Sequence, residues 1–134
     1  MAKLTSTLTL SAPLLTSDAL NFTISAEFED ISDTSGIARK KITSTAIGTA
    51  SGQVTLDTAG EFAAPSVIYI HNPSDYHLSQ NVVKCYFSGD PDGVSIQIHG
   101  GQFAYIPLSS SFDLKAFASH TDTYVEFCVF GNLA

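Results

Sequence analysis

The 134-residue chain has no tryptophan, one methionine, two cysteines and only six basic residues. Six Lys and Arg against thirteen Asp and Glu leave a formal net charge of −7. A chain so poor in positive charge is repelled by phosphate backbones and anionic lipid, so neither nucleic acid nor a membrane is expected as its main partner. Charged residues of both signs make up 14 % of the chain, against ~25 % in an ordinary soluble domain. Its polar surface must therefore be built from Ser, Thr and Asn. No apolar run approaches the ~20 residues that would span a bilayer. The opening stretch, MAKLTSTLTLSAPLL, is too rich in Thr and Ser for the apolar core of a secretory signal, and synthesis in the cytosol is expected.

The scarcity of cysteine narrows the chemistry. Cys85 and Cys128 each sit inside an apolar, aromatic-rich run. A disulfide or a metal pair is one reading. Neither belongs to a C-x-x-C, and the nearest histidines complete no zinc spacing, so two small buried hydrophobes with free thiols are expected. No cofactor is implied.

What is present is a β texture. Apolar residues are 44 % of the chain, enough for one domain with a core. Residues 3–10 alternate imperfectly, with Leu4, Leu8 and Leu10 opposite Thr5, Thr7 and Thr9. Pro13 then breaks the run. Residues 20–29 alternate cleanly: Leu20, Phe22, Ile24, Ala26 and Phe28 face one way and Asn21, Thr23, Ser25, Glu27 and Glu29 the other, the pattern of a half-buried antiparallel strand. Residues 30–36 read as a polar turn, 37–47 and 53–57 as strands, and 58–65 as a loop with a brief helical turn. Runs at 66–72, 81–88, 93–100, 102–108, 112–118 and 123–130 are short, rich in Val, Ile, Tyr and Phe, and bounded by turn residues, as strands are. No window of helical length holds a 3.6-residue period. The expectation is an all-β chain: a single antiparallel β-sandwich domain over 1–134, of about ten short strands, with a jelly roll as one arrangement. Near the C-terminus both faces are apolar, Tyr124, Cys128 and Phe130 opposing Val125, Phe127 and Val129. A second apolar face needs a cover, and a neighbouring subunit in a homo-oligomer, a trimer for preference, is expected to supply it.

Sites for chemistry are sparse. Asp90 and Asp92, in SGDPDGV, lack the further oxygen ligands of a calcium loop and suit a hairpin turn. Glu27, Glu29, Asp30 and Asp33 read as a solvated acidic edge. Arg39, Lys40 and Lys41 are three of the six basic residues; they suit an edge strand guarded by charge or a docking patch for an acidic protein. His71, His77, His99 and His120 show no metal spacing, and Ser109, Ser110 and Ser111 lack the flanks of a nucleophile elbow. Gly100 and Gly101 supply a tight turn, after which Phe103 and Tyr105 share a face, and Pro107 belongs at a strand end or on an edge. No catalytic residue is expected.

The quoted segments SVIYIHNPS, VSIQIHGGQFAYIPLS and DLKAFASHTDTYVEFCVFG, over residues 66–131, resemble a recurrent layout in small virion proteins of tailed bacteriophages. The resemblance implies a non-enzymatic β-sandwich in a particle, such as a head decoration (cement) protein or a head–tail or tail component. It carries over no functional residue. A decoration protein is the expected function, with the major capsid protein or another virion protein as partner and the virion as its location. A tail or fibre adaptor is the near rival. A carbohydrate-binding sandwich is the distant one, with Tyr76 and Tyr105 as candidate platforms. Partner contact is expected at Leu4, Leu8, Leu10, Arg39, Lys40, Lys41, Tyr124 and Phe130. Residues 1–19 read either as an arm that pairs with a neighbour or as the first strand of the sandwich.

Overall fold

The computed structural model describes residues 3–12, 20–28, 31, 33–48, 51–75, 81–89, 93–108 and 111–133. Among these residues there is no helix. The strands are β1 (Leu4–Ala12), β2 (Leu20–Phe28), β3 (Asp33–Thr34), β4 (Ala38–Ile42), β5 (Val54–Asp57) and β6 (Phe62–His71). They are followed by β7 (Val83–Phe87), β8 (Ile96–Ile98), β9 (Phe103–Leu108), β10 (Leu114–Ala118) and β11 (Thr123–Leu133).

The pairing is nested. Strand β7 pairs with β8, β6 with β9, β5 with β10 and β4 with β11, all antiparallel. Such a set is one long ribbon of paired strands. Folding it over adds the lateral pairs β6–β11 and β7–β10. The result is a four-stranded sheet, β5-β10-β7-β8, facing a five-stranded one, β3-β11-β6-β9 with β4 also on β11. This is the jelly-roll form of the β-sandwich. Each sheet turns alternate residues inward. Ile68 and Ile70 of β6 and Val125, Phe127 and Val129 of β11 meet Leu56, Val83, Cys85, Leu114 and Ala116 of the other sheet in one buried cluster.

Several boundaries differ from the sequence reading. Strand β6 starts at Phe62, inside the segment expected to be a loop with a helical turn. Its ladder shifts register between Phe130 and Asn132 of β11, opposite the Pro65 peptide. Proline has no N–H to give a ladder, and a bulge accommodates it. The expected turn at 30–36 contains the two-residue β3, which caps the far end of β11. The strand expected over 37–47 ends at Ile42, and only Ile96–Ile98 of residues 93–100 is strand.

The largest correction concerns the N-terminus. Strands β1 and β2 pair with each other along nine residues and with neither sheet of the sandwich. Residues 21–27 are exposed, so β2 is not the half-buried strand its alternation suggests. A period of two says that one face is apolar; it does not say that the same chain covers it. Residues 3–12 do not form the first strand of the sandwich, and residues 1, 2 and 13–19 of the expected segment lie outside the described residues. The segment is a hairpin outside the sandwich, paired within its own chain.

The turn at Gly100 and Gly101 is as expected. Gly101 has φ +79°, and a Cβ on Gly100 would stand 2.5 Å from the Asp75 carbonyl oxygen. Asn72, fully buried, organises this end. Its Nδ2 donates to Asn81 O (2.8 Å) and Ile98 O (2.9 Å), and its Oδ1 accepts from Ser74 N (3.0 Å).

Candidate interaction surface

Register fixes which side chains the five-stranded sheet turns outward. Tyr124, Glu126, Cys128 and Phe130 of β11 lie beside Val67, Tyr69 and His71 of β6, which in turn lie beside Phe103, Tyr105 and Pro107 of β9. On these three strands the face is aromatic, with Glu126 its one carboxylate. Tyr69 stacks on His71 with ring centroids 6.4 Å apart, and Phe103 leans on Tyr69 at the same separation. His71 Nδ1 and Glu126 Oε1 meet at 2.9 Å.

The hairpin lies against part of that face. By register, Leu4, Ser6, Leu8 and Leu10 share a side with Phe22, Ile24, Ala26 and Phe28, whereas Thr5, Thr7 and Thr9 share the other with Thr23, Ser25 and Glu27. Cross-strand hydroxyl pairs Thr7–Ser25 (3.1 Å) and Thr9–Thr23 (3.2 Å) line the polar side. At the base, Ser6 Oγ hydrogen-bonds Tyr105 Oη, and Leu4 and Phe28 are half-buried. Further out the apolar side is open: Leu8 and Leu10 are each 42 % exposed, Phe22 44 % and Ile24 59 %. Between hairpin and sheet runs a groove of ≈ 670 Å³, lined on one side by Leu4, Leu8 and Ile24 and on the other by Tyr69, Phe103 and Phe130. The second apolar face of β11 is thus partly covered by the chain's own hairpin.

The expected contact residues separate into two groups. Leu4, Leu8 and Phe130 meet at the groove, and Leu10 sits further along the hairpin. Arg39 and Lys41 form the basic edge with Tyr124: the Arg39 guanidinium is 4.9 Å from the Tyr124 ring centroid, and Lys41 Nζ is 3.1 Å from Asp122 Oδ1. That carboxylate holds the Lys41 ammonium above its ordinary range. Lys40 pairs with Val125 and points to the opposite face, so it does not join them. Ser6, Ile37 and Phe103 belong to the surface but were not read as contacts. The shared parity of Phe103 and Tyr105 was the available signal; nothing local marked Ser6 or Ile37.

The other candidates fall elsewhere. Tyr76, His77, Asp90, Asp92, Ser109 and Ser110 lie outside the described residues, as do Glu29 and Asp30. Tyr105 is half-buried and bonded to Ser6, so its ring edge is already engaged. Both thiols are free and buried, Cys85 inside the core and Cys128 under the groove beside Thr34 (3.2 Å). Burial pushes the Cys85 thiol up to about 12. Among the described residues no three His, Cys, Asp or Glu side chains come together as a metal would need. Asp57, 5 % exposed, has one carboxylate oxygen without a hydrogen-bond partner. Burial first, then the nearby Glu61 and Asp113 charges, raise it from 3.8 to about 6.

Comparison with protein-family models and with curated proteins finds no match to this chain.

Proposed function

We propose that the protein is a non-enzymatic assembly module, and specifically a virion structural protein of a tailed bacteriophage that binds and stabilises the assembled head shell. The observation that carries this reading is the amphipathic hairpin. A sandwich with a complete core of its own carries a two-stranded projection whose distal apolar side is open, at 42–59 % exposure for four large residues. A lone hairpin is marginally stable in water, and an exposed apolar strand pair invites aggregation. Such an element is retained at that cost when a partner covers it. The jelly-roll topology recurs in viral capsid domains, and the pattern over residues 66–131 points the same way. The low charge and hydroxyl-rich faces suit a crowded lattice. The mechanism is mass action: a protein that binds the assembled shell and not its separate subunits stabilises the shell by the free energy of that binding.

The test is binding to purified, empty heads, followed by electron microscopy of decorated particles. Regular density on the shell supports the reading. Density confined to the tail or fibre would transfer the protein to the rival position. Binding to neither would reject a virion role.

A further inference from the structure

The hairpin and the sheet face it touches are complementary, yet the contact within one chain is incomplete. Only the base of the hairpin is seated, through Ser6 on Tyr105 and half-buried Leu4 and Phe28. The distal side chains Leu8, Leu10, Phe22 and Ile24 stay open, as do Phe103 at 60 % and Ile37 at 76 % on the facing surface. We propose that a second copy of this chain is the occupant: each copy lays its β1–β2 hairpin on the outer face of the other's five-stranded sheet. The proposal deepens the assembly reading above and rests on it only in taking the hairpin as an assembly element.

Area selects a second copy over a foreign protein. A hairpin of nine-residue strands is ~30 Å long and ~10 Å wide, so one side offers ~300 Å². A stable interface needs on the order of 800 Å² from each partner. A foreign surface would take up one hairpin side only. In a reciprocal contact each chain gives one hairpin side and receives another on its sheet, ~600 Å² per chain, and the strips around Ile37 and Tyr124 extend it toward the required size. Reciprocity is also what a two-fold interface entails, because the same patch serves both subunits.

Charge agrees. The chain carries −7, so copies repel unless they meet on a face without acids. The apolar hairpin side has no ionisable residue in its described register. On the outer sheet face Glu126 pairs with His71, Asp122 pairs with Lys41, and Arg39 lies over the Tyr124 ring, so the acids there are matched by bases. Asp57 belongs to β5 of the other sheet, and Asp113 immediately precedes β10 of that sheet.

The experiment is sedimentation of the full chain at micromolar concentration, with two pairs of variants. The wild type is expected to sediment as a multiple of 14.2 kDa. Leu8→Glu with Ile24→Glu, both on the open side, should give a monomer whose melt stays cooperative and no longer depends on protein concentration. Thr7→Glu with Thr23→Glu, on the polar side, should leave association intact. As a second measurement, chains carrying Ile24→Cys are mixed with chains carrying Phe103→Cys and oxidised, and a disulfide joining the two positions is expected. It can form only between copies. A wild type that is monomeric throughout, or a Leu8/Ile24 variant that associates as well as the wild type, overturns the proposal. Shell binding is scored separately: an associating protein that ignores heads sinks the virion reading alone, and a monomer that decorates them sinks this one alone.

Discussion

Ser6 and Tyr105 share a hydroxyl–hydroxyl hydrogen bond across 99 residues of sequence, and it ties the hairpin to the outer face of the five-stranded sheet. Removing it with Tyr105→Phe keeps the ring in place and loses only the bond. A typical intramolecular hydrogen bond contributes ~0.5–1.5 kcal/mol, which is ~2- to 10-fold in the population of the lifted hairpin. Cys128, 3 % exposed at the groove, is the reporter. Its reaction with a thiol reagent should accelerate by about that factor in Tyr105→Phe. Cys85, buried in the core with its thiol pushed up to about 12, should stay inert in both proteins. Equal acceleration at both cysteines would mean that the substitution loosens the whole sandwich rather than the hairpin.

Asn72 is predicted to be the costliest polar residue to replace. Its side chain serves two carbonyls and one amide from three segments while fully buried. Asn72→Ala strands those groups, at ~1–3 kcal/mol for each left unpaired. A loss of about 3 kcal/mol and a melt lower by about 10 °C are expected. Asn72→Asp is the sharper test. It keeps the shape and the acceptor for Ser74 N, but turns a second acceptor toward Asn81 O and Ile98 O. It should be at least as destabilising as alanine. A mild Asp variant would show that the two donated bonds contribute little.

Asp57 gives the chain a pH dependence with a definite sign. Its folded value, about 6, lies above the 3.8 of an ordinary Asp. The folded state therefore holds the proton more tightly than the unfolded one. This group's contribution to stability is greatest below pH 3.8, falls as pH rises from 3.8 to about 6, and is flat beyond. The swing is at most ~3 kcal/mol. Asp57→Asn cannot titrate and should flatten that part of the stability curve in chemical denaturation across the same window. A variant whose curve keeps the wild-type slope would show that Asp57 is not its source.

The sequence carried the strands because Val, Ile, Tyr and Phe recur at short range with turn residues between them, and that information is local. It also carried the opposition of Val125, Phe127 and Val129 to Tyr124, Cys128 and Phe130 and the glycine turn at 100–101, but which of the two sets faces the core comes from the packing. It did not carry the nesting of pairs, because β4 and β11 are joined by long-range register rather than by a neighbouring turn. The split of the basic triplet was half visible: alternation put Arg39 and Lys41 together, but only the pairing of Lys40 with Val125 shows which face each takes. The exposure of Phe22 and Ile24 was invisible for a physical reason. Alternation reports that a face is apolar, and the identity of its cover is a property of packing. Ser6 gave no signal, since its role depends on Tyr105 standing opposite.

The hairpin's independence from the core yields the last prediction. Among the described residues none before Ile42 belongs to the buried cluster between the sheets, and the first that packs against it is Ala38. A chain lacking residues 1–28 should therefore fold. What it loses is the half-burial of Leu4 and Phe28 and the Ser6–Tyr105 bond, together ~1–2 kcal/mol for partly buried groups. The melt should stay cooperative and fall by about 5–10 °C. At the same time Cys128 should become fully reactive, because the groove loses one wall, while Cys85 remains protected. Association with a second copy and binding to heads should both disappear. If the truncated chain melts without cooperativity, the hairpin contributes to the core after all, and the boundary drawn here between arm and sandwich is wrong. If it melts normally and still associates, the contact between copies lies elsewhere, with the Arg39–Tyr124 edge of β4 and β11 as the next surface to mutate.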